Sequence, residues 1–248
     1  VTHASAAQKV IVSGDLRIPA KIYSEPRLNV RFSITRKGAI LRLPIGLTAI
    51  ELERQSTQFE QWVVQQVTSQ EELRVAFAHR SYQSGQQLTV GNRQYQLVLE
   101  DAAGAVTCSA TRHGGTIVLR LVQNIDAARR SKVVRHLLSR VVARDFASEV
   151  TRRVHELNAM HFKCKIGKVS LKYNHSNWGS CSSRGNINLS TCLLFAPAPV
   201  IDYVIIHELA HLLEMNHSSR FWEHVSGAMP DYREQERWLK ENWHTCDF

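Results

Sequence analysis

Apolar and polar residues alternate in short runs through the first third of the chain, the period of a half-buried strand. Residues 28–36 and 39–43 are two such runs on either side of Lys37-Gly38, and they predict a hairpin that Pro44 and Gly46 stop. Thr48-x-x-Glu51 has the form of a capping box and predicts a helix through Phe59, Trp62 and Val63 to about Val67. Ser69-x-x-Glu72 has the same form and predicts a second helix toward Ala78. Alternation returns at 86–99 around Gly91-Asn92 and at 105–122 around Gly114-Gly115, which predicts two more hairpins. No internal repeat is visible along the chain.

Beyond Asp126 the period changes. Val133, Val134, Leu137, Leu138, Val141, Val142, Phe146, Val150, Val154 and Leu157 form a helical stripe that Asp126 caps and that reaches about His161. Strand-like residues 166–173 follow, and 186–195 alternates until Pro197 and Pro199 break it. Pro199 suits the first turn of a helix from about Val200 to Met215. A last helical pair, 219–227 and 231–243, is split at Met229-Pro230. Strands first and helices later predict an α+β protein, with a β-hairpin-rich region over 1–125 and a second domain over 126–248.

Composition is that of an ordinary globular protein, with 44% hydrophobic and 21% charged residues. No run of about 18 uncharged apolar residues exists, so no membrane span is predicted. Residues 1–14 lack the pattern of a signal peptide. The five cysteines form no C-x-x-C pair, which fits neither a disulfide framework nor a thiolate zinc site. A reducing cytoplasm is the expected home, with a Cys181–Cys192 bridge as the alternative. The net charge is +9, and the stretch 126–168 holds most of it, with eleven Lys/Arg against four Asp/Glu. That basic helix makes nucleic acid a candidate partner through Arg129, Arg130, Arg140, Arg144, Arg152 and Arg153. A solvated helix face is the competing reading, because aromatic residues are sparse there.

His207-Glu208-Leu209-Ala210-His211 is an H-E-x-x-H motif inside an apolar helix. Histidines four apart lie on one helix face, where both imidazoles can reach one metal ion and Glu208 can take a proton from its water. His217 is the candidate third ligand. An unbroken helix would carry it out of reach, so the helix must end near Met215 and the chain turn back. Asn216 tolerates the left-handed conformation that such an ending uses, and Ser218 offers a cap for the next helix. Glu214 is the rival ligand, or a partner behind the ligands. Three imidazoles and a water would make an open catalytic zinc site, so Zn2+ is the expected cofactor.

The resemblance extends past the motif. Residues 178–189, Trp-Gly-Ser-Cys-Ser-Ser-Arg-Gly-Asn-Ile-Asn-Leu, resemble a signature of the YgjP-like metal-dependent hydrolases, which are related to SprT-like proteases. Val204 to His211, Asn216-His217-Ser218, Phe221-Trp222, Met229-Pro230-Asp231-Tyr232 and Trp238-Leu239 resemble it too. Asn177 departs from the pattern, where a basic residue is expected. The resemblance implies a zincin-like catalytic domain with zinc on His207, His211 and His217 and with Glu208 as general base. It implies a metallopeptidase first. At least one member is described as a UTP pyrophosphatase, so a nucleotide substrate is the alternative, and a non-catalytic nucleic-acid-associated protein is a further one. A peptide would lie along Asn186–Ser190, with Asn186 and Asn188 in contact, whereas phosphates would need Arg184 and the Gly179–Gly185 loop. Tyr232 and His175 are candidates to steady an oxyanion, and Cys181 reads as a small packed thiol.

Overall fold

The computed structural model describes residues 7–35, 37–78, 80–174 and 176–248, so His175 lies outside the described residues. The chain forms two compact units, Val1–His79 and Arg80–Phe248, rather than dividing at 125/126. A cut at 125 would split one core: Tyr95, Leu97, Ile117, Leu119 and Leu121 belong to the same apolar cluster as Val134, Leu138, Val204 and Leu209.

The first unit is a four-stranded sheet of β1 (Ala7–Ser13), β2 (Leu16–Glu25), β3 (Arg31–Thr35) and β4 (Gly38–Pro44), in the order β1-β2-β4-β3. The expected hairpin is β3–β4, while β2 and β4 run parallel. Helix α1 (Ala49–Ser69) begins with the capping box intact, Thr48 accepting from the Glu51 N–H and Glu51 from the Thr48 N–H. It lays Phe59, Val63 and Val67 on Ile18, Ala20, Leu41 and Leu43. The second box does not form. Ser69 still belongs to α1 and its hydroxyl donates back to the Gln66 carbonyl, so α2 (Glu71–Phe77) starts without a side-chain cap.

The second unit opens with β5 (Gln87–Val90), β6 (Arg93–Ala102), β7 (Ser109–His113) and β8 (Thr116–Val122), in the order β5-β6-β8-β7. This is the path of the first sheet, with β6 and β8 parallel as β2 and β4 are. The match reaches single residues. Leu41 and Leu43 correspond to the equally buried Leu119 and Leu121. Gly46 and Asn124 both take positive φ, at 93° and 63°. Thr48 and Asp126 both cap the helix that follows. An internal repeat is therefore present in the fold, although the residues alone did not reveal it.

Helix α3 (Ala127–Leu157) is capped by Asp126 as expected, then widens into a π turn over Asn158–Phe162 that ends at left-handed Lys163. A three-stranded sheet follows, β9 (Val169–Lys172), β10 (Gly179–Cys181) and β11 (Ile187–Ser190), in the order β10-β11-β9. The strand expected to reach residue 195 stops at Ser190, whose hydroxyl accepts the Cys192 N–H and opens a 3-10 turn over Thr191–Phe195. Helices α4 (Ala198–Ala210), α5 (Ser219–Ala228) and α6 (Tyr232–Asn242) complete the unit. All five cysteines are free thiols. Among the described residues, no helix is long and apolar enough to cross a membrane.

Candidate metal centre

Helix α4 is apolar on nearly every side, with Val200, Tyr203, Val204, Ile205, Ile206, Leu209 and Ala210 buried. Glu208 is the exception, a carboxyl only 6% exposed. The helix ends at Ala210, five residues earlier than expected. Leu212 donates to the Leu209 carbonyl and Leu213 to that of Ala210, so the last turn tightens and the chain swings back. Asn216 is not left-handed; Asn124 and Lys163 are the non-glycine residues with positive φ among those described. Its side chain instead accepts the Ser218 N–H at 3.2 Å, a turn made by the carboxamide rather than the backbone. Ser218 then caps α5 as expected, accepting from the Phe221 N–H.

The turn brings His217 to His207 and His211. One nitrogen of each of the three lies within 4.8 Å of those of the others. The Nε2 atoms of His207 and His217 are 3.1 Å apart. Two nitrogens on one tetrahedral zinc, at about 2.05 Å each, would lie roughly 3.3 Å apart, so the donor set fits such an ion. His211 Nδ1 donates to the Glu214 carbonyl at 3.1 Å, which leaves its Nε2 for the centre. Glu214 thus serves through its backbone, and its carboxylate is not among the clustered groups. Buried Phe221 lies 4.6–4.9 Å from all three imidazoles, a floor that the motif does not announce.

Burial holds the His207 pKa down at about 4, helped by His211 and His217, and burial also lowers that of His211. Both rings are therefore neutral at pH 7, the state in which imidazole binds a metal. Burial pushes the Glu208 carboxyl up to about 7, against a hydrogen bond from the Cys181 N–H. The Cys181 thiol is pushed up to about 11 by burial and by Glu208, so it stays protonated, in keeping with a packed thiol.

The other predicted residues sit elsewhere in the fold. Asn186 Oδ1 accepts the Lys168 N–H at 2.8 Å, and Asn188 Oδ1 accepts the Ser170 hydroxyl at 2.5 Å, so both carboxamides tie β11 toward β9. β11 has a strand on each side, which takes the place expected for an added substrate strand. Arg184 is exposed on the turn before β11. Tyr232 is buried and stacks between Trp222, at 5.4 Å, and Tyr203, at 6.3 Å, as a packing aromatic. On the basic helix, Arg130, Arg135, Arg152 and Arg153 pair with Asp101, Asp247, Glu156 and Asp202, which neutralises part of its charge.

Residues 28–242 match the YgjP-like, metallopeptidase domain. The chain belongs to the YgjP-like family. At family level, this YgjP-like chain is a metal-dependent peptidase, and the histidine cluster is where its metal could be held. Solved structures similar to it include two metallopeptidase zymogens. Abylysin of Pyrococcus abyssi is 26% identical over 37% of this chain and 93% of its own, with a TM-score of 0.35. Jannalysin of Methanocaldococcus jannaschii is 18% identical over 38% of this chain and 96% of its own, with a TM-score of 0.34. No curated protein matches the chain.

Proposed function

We propose that His207, His211 and His217 hold one zinc ion and that Glu208 is the general base of peptide-bond hydrolysis beside it. The observation that carries this reading is the convergence of three imidazoles, two of them held neutral by burial, next to a buried carboxyl whose pKa lies at about 7. Zinc, when bound, supplies a Lewis acid that polarises a carbonyl and acidifies a water. The chain's residues do the rest. The Glu214 carbonyl fixes the tautomer and orientation of His211. Phe221 and Trp222 keep water from the back of the cluster, with ring centroids 4.9 and 6.0 Å from that of His207. Glu208 gives up and takes back a proton near neutrality, where a general acid–base group works best.

The test is a matched assay of the zinc-loaded protein and its Glu208→Gln variant, each given an unfolded protein and, separately, a panel of nucleoside triphosphates. The wild type should cleave the unfolded protein, and the variant should lose about 10²–10⁴-fold in rate with its zinc content unchanged. Glu208-dependent pyrophosphate release with the protein left intact would overturn the peptide reading.

A further inference from the structure

Gly179 does not take a positive φ, so nothing in its backbone conformation calls for glycine. Space does. A Cβ on Gly179 would stand 2.6 Å from Glu208 Oε1, 2.7 Å from its Cγ and 2.9 Å from its Cδ, all closer than real Cβ contacts come. The side chain missing at Gly179 is the room that the Glu208 carboxylate fills.

The register of β10 shows which of its groups face Glu208. Ser190 donates to the Trp178 carbonyl and Ser182 to the Asn186 carbonyl, so alternate residues of this strand bond to β11. The peptide groups of Gly179 and Cys181 then point away from β11, off the edge of the sheet. The Cys181 N–H faces the Glu208 carboxyl and acts to lower its pKa, and the Gly179 carbonyl accepts from the Asn177 side chain at 3.3 Å. Side chains two apart share a face, which puts the Cys181 thiol on the Gly179 side of the strand and leaves exposed Ser180 on the other.

We propose that β10 holds the base: Gly179 is a positioning residue that fixes the Glu208 carboxylate beside the histidine cluster by leaving the space it fills. Its part in the reaction rests on the reading of Glu208 as the base, whereas the physical coupling does not. The test therefore begins with thermal unfolding of the full chain, freed of metal with chelator, as wild type, Gly179→Ala, Glu208→Ala and the double variant. Gly179→Ala should lower the melting temperature by several degrees when Glu208 is present and have almost no effect when residue 208 is alanine. Should Gly179→Ala fail to fold, recovery of folding in the double variant supports the same conclusion. An equal loss in both backgrounds would overturn it, since the clash would then lie with some other neighbour.

The second arm uses zinc-loaded protein. Gly179→Ala should keep its zinc and its KM while kcat falls about a hundredfold, the scale of a misplacement near 1 Å, and Ser180→Ala should match wild type. Retention of full kcat by Gly179→Ala would overturn the positioning role. If wild type itself cleaves no peptide, the functional reading fails while the unfolding result still decides the contact.

Discussion

Asp145 on α3 receives three partners from the neighbouring sheet: the Tyr95 hydroxyl at 2.6 Å, Arg112 at 2.8 Å and Arg93 at 3.1 Å. Burial acts to raise its pKa, but Tyr95, Arg93 and Arg112 outweigh that and hold it below the ordinary aspartate value. A carboxyl depressed in the folded state stabilises the fold above its unfolded pKa, and that stability is lost as the pH falls through the folded value. Urea unfolding from pH 7 to pH 2 should therefore show an acid-side loss below about pH 4 that flattens in Asp145→Asn, which is itself less stable at pH 7. An unchanged acid limb would remove Asp145 from the account. Single residues were legible where chemistry and spacing coincide. His207, Glu208, His211 and His217 stood out because a helix period and a turn relate them within eleven positions. Gly179 was not legible as a neighbour of Glu208, because that contact is created by β10 packing on α4 and no local pattern encodes it. Asn186 and Asn188 were read as substrate contacts because 186–190 was expected to be an edge strand, yet β11 is the central strand and both carboxamides find partners toward β9.

Caps decide the elements whose partners lie three or four residues away. Thr48, Asp126 and Ser218 each accept the N–H that their spacing predicts, whereas Ser69 remains inside α1 and the second box is lost. Ser218 matters beyond its own helix, because it follows His217 directly and starts the turn that carries Phe221 under the imidazoles. Ser218→Ala should cost about 1 kcal/mol of stability by denaturant unfolding and also weaken zinc binding by competition with a chelator. A stability loss with no change in zinc affinity would separate the cap from the centre. Strand pairings between distant segments were not legible. The parallel partners β2–β4 and β9–β11 are chosen by packing across the unit. β1 was obscured by its own pattern, since Val10 and Val12 are each 56% exposed and its apolar alternation runs partly on the open face.

For the molecule as a whole, the apolar residues fall into two clusters, one drawn from residues up to Phe77 and the other from Tyr82 onward. A chain starting at Arg80 should therefore fold by itself, unfold cooperatively and bind zinc with the affinity of the full chain; a molten fragment by near-ultraviolet circular dichroism would refute that. The expected division at 125 failed because β5–β8 look like a separate hairpin region until α3 is seen lying on them. The two sheet-and-helix modules also differ in one respect with a consequence of its own. After their matched caps, α1 has Ser56, Glu60 and Thr68 where α3 has the buried Val134, Leu138 and Phe146. Helix α1 covers one sheet, while α3 covers its sheet and also supports the half that bears the histidines. A substitution that merely solubilises one side of α1 would, at the matching place in α3, loosen the ground on which the histidine-bearing half stands. Tolerance to mutation should thus be uneven between two copies of the same architecture, and the copy with fewer permitted changes is the one with a second body resting on it.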